Sequence, residues 1–414
     1  MVIVMKHIVV LGGGFGGIYT VKYLLQKLKN VKDVKITLIS KDNYFLFTPM
    51  LHEVATGGLN RHNIVEPVRN LFHADNFEFV KCMVKTIHTE KKIIETTLCD
   101  IPYDYLVIAV GSTTNFFNVP GAAQYCLDLK NIASAAAVRN RIINSLEIAS
   151  KLAHSQNIQP YLNFTVVGAG PTGVELAAEI AEFVRQMLKN NYKHLRIPFH
   201  VYLLQRGDMI MPFVHPQARE QALQELRHQG VTVHLHSEVT RVLKDSVEIN
   251  KKERLSTHTV IWTSGVKPHT INTIPSTADK RGFFHVDHSL QVKGLKDVFA
   301  LGDCAFFVNP GEQKPVPALA QTATLQAKIV AKNIIHALRH EPLETAHIRL
   351  SGLIVSVGQK FAVADLHGIR FSGFIAWWLW RTIYLFKLLG WANKFRVALD
   401  WTINLFSKRD TSQI

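Results

Sequence analysis

Two glycine-rich segments, at residues 12–17 and 168–173, have a composition and spacing suited to chemistry. The first reads Gly-Gly-Gly-Phe-Gly-Gly and the second reads Gly-Ala-Gly-Pro-Thr-Gly. In a Gly-x-Gly-x-x-Gly turn, the first glycine permits a tight turn, the second lets a pyrophosphate approach the backbone, and the third lets a helix pack on a strand. The sequence therefore predicts two dinucleotide sites in one chain.

Each glycine segment lies between a short apolar run and a helical pattern. Residues 7–11 precede the first segment as a strand and residues 18–28 follow it as a helix, and residues 163–167 and 174–188 repeat this order around the second. A helix N-terminus supplies N–H groups and a positive dipole end for a phosphate. One such motif alone is weak evidence, whereas two in the same context are specific. The residues predicted to contact the nucleotides are Gly12, Gly14, Phe15, Gly16, Gly17, Gly168, Gly170, Pro171, Thr172 and Gly173.

The strand after the first helix should reach the ribose of the first nucleotide. Residues 34–39 end at Ser40 and Lys41, where a carboxylate would usually bind a ribose hydroxyl. We therefore expect Ser40 to bind the ribose and Lys41 to approach the adenosine.

The strand after the second helix bears on the choice between NADH and NADPH. Residues 199–204 are followed by Gln205 and Arg206, where a carboxylate would repel a 2′-phosphate. Neutral Gln205 removes that repulsion and Arg206 could pair with the phosphate. We expect NADPH to be accepted as well as NADH; the alternative is that Arg206 points to solvent.

The composition sets limits on the architecture and on the partners. A chain of 414 residues should form two or three domains, and its net charge of +15 favours an anionic partner. That partner could be a nucleotide, nucleic acid or acidic lipid, but no nucleic-acid recognition motif is present. The four cysteines lack metal-ligand spacing and the 20 histidines are dispersed, so we expect no metal and a reducing compartment.

The C-terminal region, residues 371–406, is predicted to lie on a membrane. It holds five of the six tryptophans, interleaved with Arg381, Lys387 and other basic residues. Because those two charges interrupt the apolar run, no spanning helix is expected. We predict two amphipathic helices lying in the interface; the alternative is an apolar packing face or dimer interface. Deletion of residues 371–414 should then release the protein from membranes. The predicted apolar stripe is Phe395, Leu399, Ile403 and Phe406.

The motifs of the chain, in their order and spacing, resemble those of the type II NADH:quinone oxidoreductases, a family of two-dinucleotide-binding flavoproteins. The resemblance implies an α/β fold with two Rossmann-like domains of the glutathione-reductase type. It implies a discontinuous FAD domain at residues 1–115 and 290–345, an NAD(P)H domain at 116–289, and a membrane-anchoring segment at 346–414. The segments that carry the resemblance are residues 12–17, 43–57, 103–111, 166–175, 261–266, 298–303 and 317–326.

The resemblance also implies an activity and its partners. Such an enzyme binds FAD non-covalently, takes a hydride from NADH, and passes two electrons to ubiquinone or menaquinone without pumping protons. We expect a homodimer that is peripheral on the cytoplasmic face of the cell membrane and serves a respiratory chain.

Several single residues acquire roles from the resemblance alone. Gly302 and Asp303 would contact the ribityl or pyrophosphate part of FAD, and Thr48 and Pro49 would lie beside the isoalloxazine. Gly111 would end a strand that returns the chain towards the second domain, and Gly111 and Gly265 are both expected among the cofactor-binding residues. Ala320 and Gln321 would lie where FAD meets the quinone, with Gln321 contacting the quinone.

Glu175 and Lys360 are the remaining candidates that the resemblance gives. Glu175 would face the junction of nicotinamide and flavin; read by itself, it is an acidic residue in the first turn of a helix, where the dipole favours it. Lys360 would reach the flavin or quinone edge; read by itself, it is a solvent-exposed lysine.

The cysteine pattern bears on the enzymatic alternatives. Disulfide reductases need a cysteine pair that the chain lacks between Gly17 and Asp75, and sulfide:quinone oxidoreductases need a late cysteine, whereas none follows Cys304. Three alternatives remain: a soluble NAD(P)H oxidase or other flavoprotein reductase, a sulfide:quinone reductase that lacks its usual cysteines, and a redox-sensing flavoprotein that regulates a partner.

Overall fold

The structure is a computed structural model that describes residues 5–152, 157–406 and 409–413, without the side chains of residues 405 and 406. The described residues form these α-helices: α1 Phe15–Leu28, α2 Leu51–Ala55, α3 Val68–Leu71, α4 Ala122–Tyr125, α5 Ile132–Leu152, α6 Gln159–Leu162, α7 Pro171–Asn190, α8 Pro216–His228, α9 Ala320–Leu338, α10 Phe374–Lys387 and α11 Trp391–Phe406. Short 3₁₀ turns occur at Thr48–Met50, Arg61–Ile64 and Gly302–Cys304.

The strands are short, as expected of a chain with parallel sheets and several small antiparallel ones. They are β1 Lys6–Leu11, β2 Val34–Ser40, β3 Tyr44–Leu46, β4 Val65–Pro67, β5 Phe77–Lys81, β6 Val84–His88, β7 Ile93–Thr96, β8 Asp100–Pro102, β9 Tyr105–Ile108, β10 Ser112–Thr114, β11 Asn163–Val167, β12 His200–Leu204, β13 Val231–His234, β14 Val239–Val242, β15 Ser246–Ile249, β16 Glu253–Ser256, β17 Thr259–Trp262, β18 Val266–Pro268, β19 Asn272–Ile274, β20 Phe284–His285, β21 Val298–Ala300, β22 Ala305–Phe306, β23 Gly352–Ser356, β24 Ala362–Leu366 and β25 Ile369–Gly373.

The first of two compact units comprises Met1–Leu46, Val65–Thr113 and Val266–Leu350. Its main sheet is parallel, in the order β21-β9-β1-β2-β5. From Ile8 to Leu11, the side chains of β1 are at most 1% exposed, because a central parallel strand is covered on both faces. Helix α1 packs against α9, so the first and last parts of this unit share one core.

The second unit comprises Phe47–Ile64, Thr114–Gly265 and Ser351–Ile414. It contains a parallel sheet in the order β13-β12-β11-β17 and an antiparallel sheet in the order β14-β15-β16. A third sheet, β23-β24-β25, is antiparallel and packs against α10. The second unit therefore repeats the strand–turn–helix plan of the first and adds a C-terminal sheet with two helices.

The compact units and the predicted domain ranges divide the chain differently in three main respects. The predicted segment 346–414 is not separate, because Ser351–Ile414 belongs to the second unit. Residues 47–64 belong to the second unit, where Trp401 Nε1 donates a 2.7 Å hydrogen bond to Glu53. Residues 266–289 belong to the first unit, where β19 extends the sheet beside β6. The predicted ranges follow the order of motifs along the chain, whereas the compact units are defined by contacts in space. A short segment that leaves one unit and packs in the other cannot be seen in the motif order.

The predicted strand at residues 163–167 is confirmed as β11, while the helices after the glycine segments begin earlier than predicted. Helix α1 begins at Phe15 and α7 at Pro171, so three residues of each turn are already helical. Proline suits the first helical position because its fixed φ is that of a helix. The predicted strand at 199–204 begins one residue later, at His200.

Candidate functional site

The first glycine turn is shaped by two glycines that admit no side chain and one that faces open space. Gly12 has φ +108°, and a Cβ there would collide with the carbonyl oxygen of Ala109. A Cβ on Gly17 would collide with the carbonyl oxygen of Gly12, whereas a Cβ on Gly14 would have no atom within 4 Å. The turn is therefore fixed by packing on one side and leaves bare backbone on the other, as a bound pyrophosphate requires.

The N-terminus of α1 provides the donors for that phosphate. Gly14 is the N-cap, no side chain caps the helix, and the first turn holds no acidic residue. Orphan N–H groups at such an end are satisfied by an anion or by water. The turn thus fits the pyrophosphate of FAD, because it offers backbone N–H donors, no acidic side chain and open space at Gly14.

Asp303 lies in the first unit with its carboxylate fixed by a neighbouring hydroxyl. Ser112 Oγ donates a 2.6 Å hydrogen bond to Asp303 Oδ2, and the backbone N–H of Gly302 donates a 2.7 Å bond to Gln326 Oε1. Gln326 is 1% exposed, so this amide fixes the turn from within the core. Sequence reasoning missed this role; the available signal was a glutamine on the apolar face of an alanine-rich helix.

The remaining predicted residues of the first nucleotide site differ in burial. Ser40 is 8% exposed, and a Cβ on Gly13 would lie 2.7 Å from Ser40 Oγ, so Ser40 lies against the glycine turn. Lys41 is exposed. Gly111 adopts φ +70°, a conformation that glycine tolerates well, and a Cβ there would meet only open space.

The residues predicted to lie at the flavin and the quinone are found at the starts of helical turns, namely Thr48, Pro49, Ala320 and Gln321. Thr48 is exposed and Pro49 half-buried in the 3₁₀ turn Thr48–Met50, which belongs to the second unit. Ala320 and Gln321 are the first residues of α9 in the first unit, and both are half-buried. No side chain caps α9 and no acidic residue lies in its first turn, so its N-terminus also presents N–H groups.

The second glycine turn repeats the geometry of the first. Gly168 has φ +102°, a Cβ on Gly173 would collide with the Gly168 carbonyl, and a Cβ on Gly170 would have no atom within 4 Å. Pro171 and Thr172 begin α7, which has no side-chain cap. This turn has the same fit to a dinucleotide pyrophosphate.

Gln205 and Arg206 differ in their contacts. The backbone N–H of Ala169 donates a 3.1 Å hydrogen bond to Gln205 Oε1, which ties Gln205 to the glycine turn. The Arg206 side chain is 77% exposed, with its guanidinium 4.0 Å from Glu238. Gly265, at φ +72°, has no room for a Cβ because the Phe117 ring lies against it. Gln205 is therefore held at the glycine turn, whereas the Arg206 side chain is largely exposed to solvent.

Glu175 is buried in the second turn of α7, so its interpretation as a residue of the first turn is wrong. The helix begins at Pro171 and has no acidic residue in its first turn. Glu175 is 8% exposed; Ser356 N donates a 3.4 Å hydrogen bond to its Oε1, and Oε2 lies 3.7 Å from His52 Nδ1. Burial raises the pKa of Glu175 well above its usual value.

Lys360 is exposed at the turn between β23 and β24, with φ +66°. This position agrees with the interpretation of Lys360 as a solvent-exposed lysine, and the structure gives it no described partner at the site. Its role toward a cofactor stays a prediction.

A buried cluster of charged residues near Glu175 was not predicted. Arg409 Nη1 lies 2.7 Å from Glu179 Oε2, and Arg409 Nη2 lies 3.6 Å from Glu182. Burial raises the pKa of Glu53 to about 7, while burial lowers the pKa of His52 to about 4. The sequence held a signal, because glutamates at positions 175, 179 and 182 recur at helical spacing.

The C-terminal helices α10 and α11 carry both a buried and an exposed aromatic face. Phe395, Leu399 and Ile403 of the predicted stripe are 72%, 47% and 47% exposed; the Phe406 side chain lies outside the described residues. The other exposed apolar side chains of these helices are Phe374, Ile375, Trp378, Phe386 and Trp391.

Three of the five C-terminal tryptophans are core residues, which corrects the prediction that they sit together at the interface. Trp377, Trp380 and Trp401 are at most 5% exposed. The Arg381 guanidinium lies 3.9 Å from the Trp377 ring centroid and 4.8 Å from that of Trp401. Two tryptophans in this region therefore pack around one cation.

Within the described ranges, no helix has the length and apolar character needed to cross a bilayer. In the same ranges, no three or more His, Cys, Asp or Glu side chains are arranged so that they could hold a metal ion. Cys304 is fully buried, and burial raises its pKa to about 11, so its thiol is not activated as a nucleophile.

Comparisons with known proteins agree along the whole chain. The pyridine nucleotide-disulphide oxidoreductase family matches residues 6–327, and the NDH2 C-terminal domain matches residues 351–410. A probable NADH dehydrogenase of Dictyostelium discoideum is 31% identical over 99% of this chain and 92% of its own. The type II NADH:quinone oxidoreductase Ndh of Mycobacterium tuberculosis is 30% identical over 97% of this chain and 89% of its own. The solved structure of NDH2 from Plasmodium falciparum in complex with NADH has a TM-score of 0.89 and 24% identity, and the match covers 98% of this chain and 99% of that one.

Proposed function

This chain belongs to the type II NADH:quinone oxidoreductases, and we propose that it oxidises NADH and reduces a quinone at a membrane surface with the aid of non-covalently bound FAD. The observation that carries this proposal is the pair of glycine turns, one in each compact unit, each followed by a helix whose N-terminus is not capped by a side chain. Each turn presents bare backbone and helix N–H groups to a pyrophosphate.

The first unit would hold FAD. When bound, FAD supplies the hydride acceptor for NADH and the two-electron donor for the quinone. The turn at residues 12–17 would bind its pyrophosphate, with Ser40 and Lys41 toward the adenosine. Asp303, already fixed by Ser112, would accept hydrogen bonds from the ribityl or pyrophosphate part. The N-terminus of α9 at Ala320 would stabilise negative charge through its dipole, and Gln321 would contact the quinone.

The second unit would hold the nicotinamide nucleotide. The turn at residues 168–173 would bind its pyrophosphate, and Gln205 keeps that turn in place through the Ala169 N–H. Glu175, buried in the second turn of α7, would position the nicotinamide amide or exchange a proton near it. A side chain so little exposed keeps one orientation, which a positioning residue needs.

The exposed face of α10 and α11 would lie in the membrane interface. Aromatic and aliphatic side chains on this face are accompanied by Lys394, which lies over the ring of Trp391 at 4.9 Å. Such a face buries apolar area at the headgroup boundary while basic residues reach the phosphates. A quinone keeps its apolar tail in the bilayer, so the enzyme gains from resting there. We place it on the cytoplasmic face of the cell membrane, as a homodimer.

One assay distinguishes this enzyme from a sensor and from a soluble oxidase. Purified protein with bound FAD should oxidise NADH rapidly when a ubiquinone or menaquinone analogue is added, with little oxygen consumed. Bound FAD that is reduced by NADH but does not react with either quinone would contradict the proposal and favour a redox sensor. Rapid oxygen consumption without quinone would favour an oxidase.

A further inference from the structure

Three glutamates form a row along one face of α7. Glu175, Glu179 and Glu182 are four and three residues apart, a spacing that places side chains above one another on a helix. Seven residues at about 1.5 Å each give a row of about 10 Å. Glu175 and Glu179 are 8% and 4% exposed, whereas the Glu182 side chain is 24% exposed, so the row leads from solvent into the core.

His52 stands beside the buried end of this row. It is 2% exposed, its Nδ1 lies 3.7 Å from Glu175 Oε2, and its Nε2 is buried without a hydrogen-bond partner among the described residues. Because burial keeps it neutral, the imidazole carries one N–H and one acceptor nitrogen. A neutral histidine of this kind can take a proton on one nitrogen and release one from the other.

A small polar cavity lies beside the middle of the row. Its volume is about 10 Å³, and its charged lining comes from Glu53, Glu179, Arg381 and Arg409. The Nε atoms of Arg381 and Arg409 are buried without partners among the described residues. A polar cavity of this size with unsatisfied donors is suited to one ordered water molecule.

The charges around the row set which members hold a proton at neutral pH. Burial raises the pKa of Glu182 to about 7, and burial would raise that of Glu179 too, but the Arg409 guanidinium outweighs it and lowers the pKa of Glu179. Glu179 is therefore ionised between two carboxyl groups that can be protonated. The charged and titratable groups that face the row are His52 and Glu53 on α2, Glu175, Glu179, Glu182 and Arg185 on α7, Arg381 and Tyr384 on α10, and Arg409 in the C-terminal tail.

We propose that Glu182, Glu179 and His52, with a water molecule in the cavity beside Glu179, form a proton relay from solvent to Glu175. The proposal rests on the proposed function, whose balance is NADH + H⁺ + quinone → NAD⁺ + quinol. The hydride carries both electrons and one hydrogen nucleus, so one further proton must come from solvent. Glu182 takes that proton from water, and each proton that leaves Glu175 is replaced through His52 and Glu179.

A purely structural ion pair explains less of this arrangement. An ion-pair cluster that holds the C-terminal tail accounts for Arg409, Glu179 and Glu182. It gives no reason for the neutral His52 with a free ring nitrogen, or for the polar cavity beside Glu179. The relay accounts for both, and it makes His52, Glu179 and Glu182 positioning and proton-transfer residues.

The test uses the holoenzyme with Glu182→Gln, because Glu182 is the accessible member and glutamine can still accept the 3.0 Å hydrogen bond from Gln359 N. Reduction of bound FAD by NADH, followed by its absorbance, needs no solvent proton and should stay within about twofold of the wild type. Reoxidation by a quinone should slow by about tenfold or more at about pH 8, less at about pH 6, and gain a larger solvent isotope effect.

Two matched variants and one spectroscopic readout complete the test. Glu220→Gln, on the exposed face of α8, should change neither half-reaction, and Glu182→Asp should restore much of the reoxidation rate. Infrared titration of the resting holoenzyme should show carboxylic C=O bands titrating near neutral pH in the wild type, and Glu182→Gln should lose the band of Glu182 while that of Glu53 remains.

The outcomes separate the relay from the proposed function. Normal reoxidation in Glu182→Gln across the pH range, with the infrared band unchanged, would overturn the relay and leave the enzyme intact. A wild-type holoenzyme that never passes electrons to a quinone would overturn the proposed function itself. Equal slowing of both half-reactions would also count against the relay, because that pattern indicates a general structural defect.

Discussion

At the residue scale, the chemistry of this chain depends on where charged groups are buried rather than on how many there are. The total of +15 describes a surface that favours anions, but the unusual protonation states arise at residues with almost no exposure. Desolvation penalises the charged form, which raises the pKa of Glu53 and lowers that of His52. Burial also acts to raise the pKa of Glu179, but Arg409, buried beside it, together with His52 and Thr56 lowers that pKa below its ordinary value.

Removal of Arg409 should therefore be costly. Arg409→Ala leaves Glu179 buried without its partner, which is expected to lower the free energy of unfolding by about 3–5 kcal/mol. The difference in the free energy of unfolding between Arg409→Ala and the wild type should be largest near neutral pH. Because the folded-state pKa of Glu179 is lowered, its contribution is present above its ordinary value and is lost as the pH falls through the folded value.

Urea unfolding of both proteins at about pH 7 and about pH 4 measures this effect. Arg254→Ala is the matched control, since Arg254 pairs with Asp245 at 3.1 Å on the surface and should change the stability little. Equal stability of Arg409→Ala and the wild type at neutral pH would contradict the assignment of a buried ion pair.

Arg206 should govern the use of NADPH. Arg206→Ala removes the cation that would meet a 2′-phosphate, and a charge-assisted hydrogen bond of about 1.5–3 kcal/mol corresponds to about ten- to hundredfold in kcat/KM for NADPH. The kcat/KM of Arg206→Ala for NADH should stay close to that of the wild type. Arg227→Ala, an exposed arginine in the last turn of α8, is the control. A strong preference for NADH in the wild type that persists in Gln205→Glu would refute this role.

At the element scale, α10 and α11 serve two purposes on opposite faces. On the buried face, the Trp380 ring centroid lies 4.8 Å from that of Tyr384 and 6.1 Å from that of Trp401. The Arg381 guanidinium lies over the Trp401 ring. On the opposite face, eight large apolar side chains of the described residues are exposed, a density that marks an interaction surface. One pair of helices thus completes a core and offers a surface for lipid.

Polar substitution of that surface should release the protein from lipid without unfolding it. We expect the triple variant Phe395→Ser, Leu399→Ser and Ile403→Ser to lose at least about tenfold in binding to vesicles, because each buried apolar side chain contributes about 1.5–3 kcal/mol. Cosedimentation with vesicles containing anionic lipid measures the binding.

The control for lipid binding is Phe213→Ser, since Phe213 is 84% exposed but lies outside both helices. Its binding should match the wild type, and both variants should keep the thermal unfolding midpoint. A triple variant that still cosediments like the wild type would rule out this face as the lipid contact.

At the scale of the whole molecule, the C-terminal segment belongs to the fold of the second unit and is not a detachable anchor. Glu53 on α2 accepts its hydrogen bond from Trp401, and Asn63 Nδ2 donates a 2.6 Å bond to Asp400. Arg139 on α5 lies 2.8 Å from Asp410. The tail therefore joins segments that are hundreds of residues apart in the chain.

Truncation after residue 373 should consequently unfold the second unit rather than only release it from membranes. Glu53, Glu179 and Arg139 would lose their partners, and the side of the unit that packs against Trp380 would meet water. Circular dichroism and the content of bound FAD measure the outcome. A soluble truncated protein that melts as cooperatively as the full chain would contradict this expectation. Deletion of the C-terminal region would then be a valid test of membrane binding.

The sequence by itself determined the two nucleotide turns, because their signal is local. A turn in which the backbone approaches other backbone atoms closely needs glycine at fixed positions, and at positions 12, 17, 168 and 173 a Cβ would collide with backbone atoms. Burial of parallel strands likewise requires continuous apolar runs, so β11 was predicted to the residue. The apolar stripe of α11 was also readable, since helical spacing is a property of neighbouring residues.

Only the tertiary structure decided which charges and tryptophans are buried. Glu179 and Arg409 are 230 residues apart, and Glu53 and Trp401 are 348 apart, so no local pattern joins them. A tryptophan in an amphipathic helix has the same spacing whether its face meets lipid or protein, and Trp401 differs from Trp391 only in what packs against it. Protonation states depend on that packing through desolvation. The helical spacing of the three glutamates can be read from the sequence, whereas their burial and its effect on the pKa values appear only in the folded chain.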